Sequence, residues 1–373
     1  MPERLAVLVA SLAQGGVGKM RTHLINRFSE LGHPVDLLLG EPDSPYMDRL
    51  HPGIRVIDLG TSNAITGVPA LAWYLLREKP GTLLTQRIRV NVLALRARNL
   101  TRCRTRVFVT SNTNITSQLD SMQPDKKEKQ LRLLRKYYPQ NDGIMAVSRG
   151  VAEDTARILG IPAERIRVIH NPVVTPDLET LARIRPGHPW MSEDADIPVI
   201  LGVGRLEPQK DFPTLIRAFA LVREVTPCRL MILGEGALRP DLQTLADELG
   251  VGSDLEMPGF VRNPYQYLRA AALFVLSSRW EGSPNGLTEA LAIGTPVVAT
   301  NCPDGPREIL REGKYGPLVP MGDPRALADA MLATLRHPHD PAFLRSATDR
   351  YSVNNSAREY LAAMGLPEHP AGD

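Results

Sequence analysis

Short apolar runs alternate with segments of helical periodicity along most of the chain. LAVLVAS (5–11) is a continuous apolar run that reads as a buried strand. Val17, Met20, Leu24, Ile25, Phe28 and Leu31 then recur at helical spacing, Gly32 follows as a stop signal, and VDLLLG (35–40) reads as a second strand. This is a βαβ unit. Further strands are predicted near 54–59, 82–85, 106–110, 143–147 and 166–169, with helices between most of them. Ser148 is the expected cap of a helix over 149–159. Alternation of this kind predicts a parallel sheet with helices on both faces.

Residues 171–197 interrupt the pattern. They carry Pro172, Pro176, Pro186 and Pro189, an acidic group (Glu193, Asp194, Asp196) and little apolar periodicity, and read as an interdomain linker. A fresh series starts at PVILGV (198–203) and continues through RLMILG (229–234), LFVLS (273–277), PVVAT (296–300) and PLVP (317–320). Asp211 with Pro213 opens one helix of this series, 238–249 forms another, and Asp323-Pro324 starts a third as cap and first-turn proline. The final stretch, 341–365, is mostly helical without a strand partner. The expected division is an N-terminal domain over 1–170, a linker over 171–197, a C-terminal domain over 198–340, and a closing segment over 341–373.

Composition changes this picture little, and charge changes it more. A chain of 373 residues exceeds the usual size of a single core, and 43% hydrophobic with 23% charged residues is ordinary for a globular protein. Cys103, Cys228 and Cys302 lie far apart without pairing or metal-ligand spacing, which suits a reducing compartment. The first apolar run is too short for a signal peptide or a membrane span, so an intracellular, cytoplasmic protein is expected. Residues 1–170 carry 25 Lys and Arg against 15 Asp and Glu, whereas 171–373 carry 19 against 26. A basic half beside an acidic half implies different partners.

Two segments of the second half carry candidate chemistry. In Gly202-Val-Gly204-Arg205-Leu-Glu-Pro-Gln-Lys210-Asp211 a strand ends at glycines, a turn follows and a helix begins. Glycines let a ligand approach the backbone, and Arg205 and Lys210 supply fixed positive charge of the kind a departing diphosphate requires. Alone, the segment reads equally as an ordinary βα turn with solvated cations. In Glu281-Gly-Ser-Pro-Asn285-Gly286-Leu287-Thr288-Glu289, Pro284 to Gly286 open a short helix over 286–293. Its first amides form a phosphate-binding N-terminus, with one carboxylate before the helix and the other about two turns in. Two glutamates at this spacing are common on surfaces. A cationic glycine loop followed by paired carboxylates around a helix start, all at strand ends of one sheet, is the arrangement by which open α/β sheets hold ligands.

GVGRLEPQKD together with E-x(7)-E and EALAIGTPVVAT resembles glycosyltransferase family 4. LGEGALRPDLQTLADELG, MPGFVRNPYQYLRAA, DGPREIL and YGPLVPMGD extend the likeness over 198–335, and QGGVGK (14–19), AVSRGVAED (146–154) and VIHNPV (169–174) add a looser match. The resemblance implies the GT-B architecture, two Rossmann-like α/β domains facing each other across a cleft, with the final helix returning to the N-terminal, acceptor-binding domain. It implies a retaining glycosyltransferase using a nucleotide-sugar, expected to be a UDP-sugar, in surface polysaccharide synthesis. Arg205 and Lys210 would bind the diphosphate, Glu289 the ribose and Glu281 the sugar. Asn285, Gly286 and Leu287 would offer backbone amides, Gly204 would admit the ligand, Phe260 and Val261 would lie by the base, and Gly15 and Gly16 would close over the sugar–phosphate linkage. No metal or other cofactor is implied. The acceptor would be a glycan or a polyprenyl-linked oligosaccharide.

One position departs from that pattern. Many relatives carry a histidine after the strand equivalent to 106–110, whereas this chain reads VFVTSNTNITS with Asn112 there. Asparagine carries no titrating proton, but its amide can bond a sugar hydroxyl. Ala13-Gln-Gly-Gly-Val-Gly-Lys-Met20 imitates a phosphate-binding P-loop, but Ala13 and Met20 stand where that loop needs Gly and Ser or Thr. Asp194-Ala-Asp196 imitates a metal-binding DxD within a polar stretch, and His170 reads as a structural hinge residue. Arginine-rich 86–106 and KKEKQLRLLRKYY (126–138) read either as solvated helix faces or as a surface for anionic membrane, with Leu131, Leu133 and Leu134 as an apolar footing. Without interleaved aromatic residues they do not suit nucleic acid. Rival functions are a nucleotide-sugar epimerase of the same fold and a non-catalytic sugar- or lipid-binding module.

Overall fold

The computed structural model describes residues 3–12, 15–41, 45–61, 66–192 and 195–367. The chain divides into two compact units. One runs to Pro172 and is rejoined from Ser352 onward; the other is Val173–Tyr351.

The first unit holds a seven-stranded sheet of β1 (Leu5–Val9), β2 (Val35–Leu39), β3 (Arg55–Asp58), β4 (Thr82–Gln86), β5 (Arg106–Ser111), β6 (Gly143–Ala146) and β7 (Ile166–Val168), in the order β3-β2-β1-β4-β5-β6-β7. All pairings are parallel, with Leu5 opposite both Val35 and Thr82. β1, β2 and β4 are buried along their whole length, as expected of strands covered on both faces. The second unit holds β8 (Val199–Val203), β9 (Arg229–Leu233), β10 (Leu255–Gly259), β11 (Leu273–Leu276), β12 (Val297–Thr300) and β13 (Leu318–Val319), in the order β10-β9-β8-β11-β12-β13. In each sheet the order runs outward from the first strand, then reverses at the fourth. This is the doubly wound Rossmann-like pattern.

β10 is absent from the sequence reading. It is an edge strand, partly exposed, and Pro258 interrupts its apolar character. An edge position tolerates a residue without an N–H.

The stretch 171–197, expected as a linker, is built into the second unit as far as it is described. Val173, Leu178, Ala182 and Met191 enter its core, and helix Leu178–Ala182 packs on helix Tyr265–Ala270. Asn263 Nδ2 also donates to the Leu181 carbonyl at 2.9 Å. These partners lie far away in sequence, so local periodicity carries no trace of them. The closing segment over 341–373 is likewise divided. Helix Pro341–Arg345 and Tyr351 belong to the second unit, where Val173 and Val174 both donate to the Tyr351 carbonyl at 3.0 and 2.9 Å. Helix Val353–Met364 belongs to the first unit and packs on helix Gly16–Glu30, with Tyr360 edge-on to Phe28.

Ser148 and Asp323 cap their helices through side-chain oxygens. Asp211 does not. It takes a left-handed conformation, and its carboxylate accepts Thr214 Oγ1 at 2.9 Å and pairs with Arg279 at 3.2 Å.

The basic stretches are less available than their composition suggests. Helix Ile88–Thr101 buries Val90, Val92, Leu93 and Leu95, Arg98 pairs with Asp142, and Arg106 lies in β5 paired with Glu3. On helix Pro124–Tyr137, Leu134 is fully buried and Leu131 and Leu133 pack against the same core. These leucines cannot serve as an apolar footing, because the helix needs them to attach to its own domain. Lys127 and Arg132 pair with Asp120 and Glu128. No helix among the described residues is long and apolar enough to cross a membrane.

Candidate active site

In the second sheet β8 lies between β9 and β11, the point where strand order reverses. Connections from β8 and β11 therefore leave toward opposite sides, opening a crevice beyond their C-terminal ends. The two segments singled out in the sequence are these two connections. Gly204–Asp211 follows β8, and Ser277–Pro284 follows β11 and leads into helix Asn285–Ile293.

Several bonds clamp the two connections together. Lys210 Nζ meets Glu281 Oε1 at 2.5 Å, with side-chain exposures of 18% and 8%. Ser278 Oγ donates to the same carboxylate oxygen at 2.7 Å. Ser277 Oγ donates to the Lys210 carbonyl at 2.8 Å, Gln209 Nε2 to the Trp280 carbonyl at 2.8 Å, and the Arg279 amide to the Gln209 carbonyl at 2.9 Å. An ion pair this secluded is held in one geometry. A Cβ on Gly204 would fall 2.9 Å from Lys210 Cε, so the glycine leaves the lysine stem its path. Gly234 supports the loop from below. Its φ of 142° suits glycine, and a Cβ there would stand 1.9 Å from the Gly204 carbonyl oxygen.

Arg205 differs from Lys210. Its side chain is 58% exposed and pairs only locally, with Glu207 at 2.7 Å. It is a cation presented to solvent. Helix Asn285–Ile293 begins beside β8, because a Cβ on Gly286 would meet Phe274 at 3.4 Å and Val203 at 3.9 Å. Asn285, Gly286 and Leu287 form its first turn, where amides lack acceptors within their own helix. Glu289 lies one turn further and is buried, as is Leu287. Phe260 and Val261 follow the end of β10 and are partly exposed, near the Gly234 turn through the Gly234 N–H to Gly259 carbonyl bond.

Sequence reading missed several supports of this site. Ser278 passes in the sequence as an ordinary strand end, yet it fixes Glu281. The Glu281 amide donates to the Pro303 carbonyl at 3.0 Å. Next to it Asp304 and Gly305 adopt positive φ, and a Cβ on Gly305 would strike Pro284 Cδ at 2.5 Å. The Asp-Gly pair was the available signal of a tight turn. Cys302 is buried near Glu281. Burial first, then the carboxylate, push its thiol up to about 12, so it stays protonated and unreactive.

The remaining predicted residues lie in the first unit. Gly15, at φ 113°, precedes helix Gly16–Glu30 and Gly16 begins it. Asn112 follows β5, partly buried, and its Nδ2 donates to Gln86 Oε1 at 3.2 Å. Gln86 closes β4, and fully buried Arg21 donates to the same oxygen through Nε at 2.9 Å and Nη2 at 2.6 Å. Neither Arg21 nor Gln86 stands out in the sequence. His170 holds a structural place, its carbonyl accepting Ser356 Oγ at 2.8 Å. Asp194 lies outside the described residues. Among the described residues no group of three or more His, Cys, Asp or Glu is placed to hold a metal ion.

Comparison with known proteins agrees with this arrangement. Residues 14–176 match the model for Glycosyltransferase Family 4, and residues 197–337 match that for Glycosyl transferases group 1. The chain is 30% identical over 238 residues to the N-acetylgalactosamine-N,N'-diacetylbacillosaminyl-diphospho-undecaprenol 4-alpha-N-acetylgalactosaminyltransferase of Campylobacter jejuni, covering 61% of this chain and 62% of that one. It is 35% identical over 195 residues to the lipopolysaccharide core biosynthesis glycosyltransferase LpsE of Rhizobium meliloti, covering 52% and 54%. The matched segments thus span between half and two thirds of these relatives. Among solved structures, Anabaena HepE in complex with UDP-glucose superposes with a TM-score of 0.80 at 17% identity, covering 97% of this chain and 99% of that one. That likeness establishes the fold.

Proposed function

Since the chain is a glycosyltransferase family 4-like protein of GT-B fold, related to bacterial polysaccharide and lipopolysaccharide glycosyltransferases, we propose that it transfers a hexose or N-acetylhexosamine from a UDP-sugar, with retention, to a glycan or lipid-linked oligosaccharide. The observation that carries this reading is the Lys210–Glu281 pair clamped between the two connections at the strand-order reversal. Lys210 and Arg205 hold the diphosphate and stabilise the charge that grows on it as it leaves. Amides of Asn285, Gly286 and Leu287 add donors at a helix N-terminus. Glu289 takes the ribose, Phe260 and Val261 the base, and Glu281, oriented by Ser278, the sugar. Gly15, Gly16 and Asn112 serve the sugar end of the donor. In the reaction the bond between the anomeric carbon and the phosphate oxygen breaks. A bond to the acceptor oxygen forms on the same face, and the acceptor proton passes to the departing phosphate.

The test is incubation with UDP-glucose, UDP-galactose, UDP-N-acetylglucosamine and UDP-N-acetylgalactosamine, reading UDP release with and without a lipid-linked oligosaccharide fraction. Acceptor-dependent release from one donor is expected. Interconversion of the donor without UDP release would favour the epimerase, and binding without turnover the non-catalytic module.

A lipid-linked acceptor requires work at the cytoplasmic leaflet, and a surface of the first unit suits peripheral contact there. Trp73, Leu76 and Leu100 are 59%, 55% and 67% exposed on helices Gly67–Glu78 and Ile88–Thr101, which pack together. Exposed Arg77, Lys79, Arg102 and Arg104 accompany them, Arg77 over the Trp73 ring. Apolar and indole groups beside cations fit an anionic interface, each cation adding about 1 kcal/mol. Co-sedimentation with anionic vesicles at low salt, lost at high salt and with neutral lipid, is expected. Equal binding to neutral vesicles, or none at low salt, would point to a soluble acceptor.

A further inference from the structure

The buried polar group at the C-terminal ends of β4 and β5 sets the direction of a hydrogen bond. Arg21 is fully buried in helix Gly16–Glu30, and a guanidinium can only donate. Its Nε and Nη2 both point at Gln86 Oε1. Turning the Gln86 amide over would set its NH2 against the cation, so the orientation of Gln86 is fixed. The same oxygen accepts Asn112 Nδ2 at 3.2 Å. Turning Asn112 over would oppose two carbonyl oxygens, so Asn112 is fixed in turn. Its Oδ1 is left as the outer end, buried as an atom and without a hydrogen-bond partner in the protein. The polarity of the chain thus originates in the one member that cannot be reversed. β4 is also the strand at which the order of the first sheet reverses, next to β1, where such sheets hold ligands.

We propose that Arg21 and Gln86 are positioning residues that hold Asn112 as an obligate acceptor, so that Asn112 selects a donor sugar by receiving a hydrogen bond from one of its hydroxyls. The inference rests on the transferase reading above. An unmet carbonyl acceptor in a half-buried setting favours a ligand that supplies an O–H and discriminates against one that lacks it. A histidine at this position could act as donor or acceptor according to its protonation; this asparagine, so held, accepts only.

The experiment compares kcat/KM for whichever of the four UDP-sugars turns over with that for its 2-, 3-, 4- and 6-deoxy analogues. For the wild-type protein, one position should show a preference for the hydroxyl of about tenfold or more. Asn112→Ala, which leaves the Arg21–Gln86 contact in place, should reduce that preference to within about threefold. Gln86→Leu should do the same by freeing the Asn112 amide. Gln86→Glu should retain the preference, because a carboxylate accepts from both Arg21 and Asn112. A merely structural role would lower all rates together without moving the ratio. Turnover with no preference at any position, a preference unchanged in Asn112→Ala or Gln86→Leu, or one lost in Gln86→Glu would each overturn the inference alone. Absence of turnover of every donor by the wild-type protein would overturn the transferase reading and this inference with it.

Discussion

At the C-terminal ends of the second sheet, opposite charges meet. Lys210 and Glu281 join two connections, and exposed Arg205 stands beside them. At the corresponding ends of the first sheet a buried cation meets only neutral amides, Arg21 on Gln86 and Gln86 on Asn112. The two sheets share the same order over their first six strands and the same point of reversal. Topology therefore supplies the place, and side chains supply the task. Charged groups near solvent can follow a charge that develops on a diphosphate. A neutral amide locked by a buried cation can read the hydrogen-bonding sense of an uncharged sugar.

The largest effects should come from the charged end. Lys210→Ala and Arg205→Ala should each lower kcat roughly 100-fold or more, because stabilising a leaving group is worth several kcal/mol. Circular dichroism should show both variants folded. Near-wild-type turnover in folded Lys210→Ala would remove the diphosphate assignment. Glu289→Ala should instead raise the donor KM about tenfold with little change in kcat, since ribose is held in ground and transition states alike. A kcat effect as large as that of Lys210→Ala would place Glu289 in the chemistry.

A third test addresses the opposite, N-terminal edge of the first sheet, where ions serve stability. Burial pushes the fully buried Asp36 carboxyl up, but hydrogen bonds from Arg55, Tyr74 and Arg4, with the Arg4 charge, outweigh this and hold it below its ordinary range. A folded-state value below the unfolded one, about 3.9, means that the carboxylate stabilises the fold above that pH. This contribution is lost as pH falls through the lower folded value. Asp36→Asn should destabilise by about 3 kcal/mol at neutral pH, and urea midpoints of the two proteins should converge below about pH 4. A constant gap down to pH 3 would refute this account. The smallest effect should be that of a chelator. Arg205, Lys210 and a helix N-terminus already provide the positive potential that a divalent ion supplies elsewhere. Rates in excess EDTA should match those without it, and loss restored by Mn²⁺ would break the comparison between the two ends.

Much of this was legible in the chain. Continuous apolar strands, helical spacing and glycine stops depend on neighbours within a few residues, and they foretold the two βα series. The Gly204–Asp211 and Glu281–Glu289 segments were legible because each is a local strand–turn–helix transition. The edge strand Leu255–Gly259 was not, since partial exposure and Pro258 erase its pattern. The stretch from Val173 to Met191 looked like a linker because its few apolar residues find partners some 80 residues on, as Leu181 does in Asn263.

What the sequence determined by itself is therefore the class of fold, the location of the cationic loop and paired glutamates, and the departure at Asn112. Only the tertiary structure decided that Lys210 clamps Glu281, that Leu131, Leu133 and Leu134 face their own core, and that Arg21 reaches Gln86 across 65 residues. The physical reason is one of range. Backbone preference and amphipathic spacing are set by adjacent residues, whereas ion pairs, buried hydrogen bonds and the direction of an amide are set by whatever strand order brings alongside.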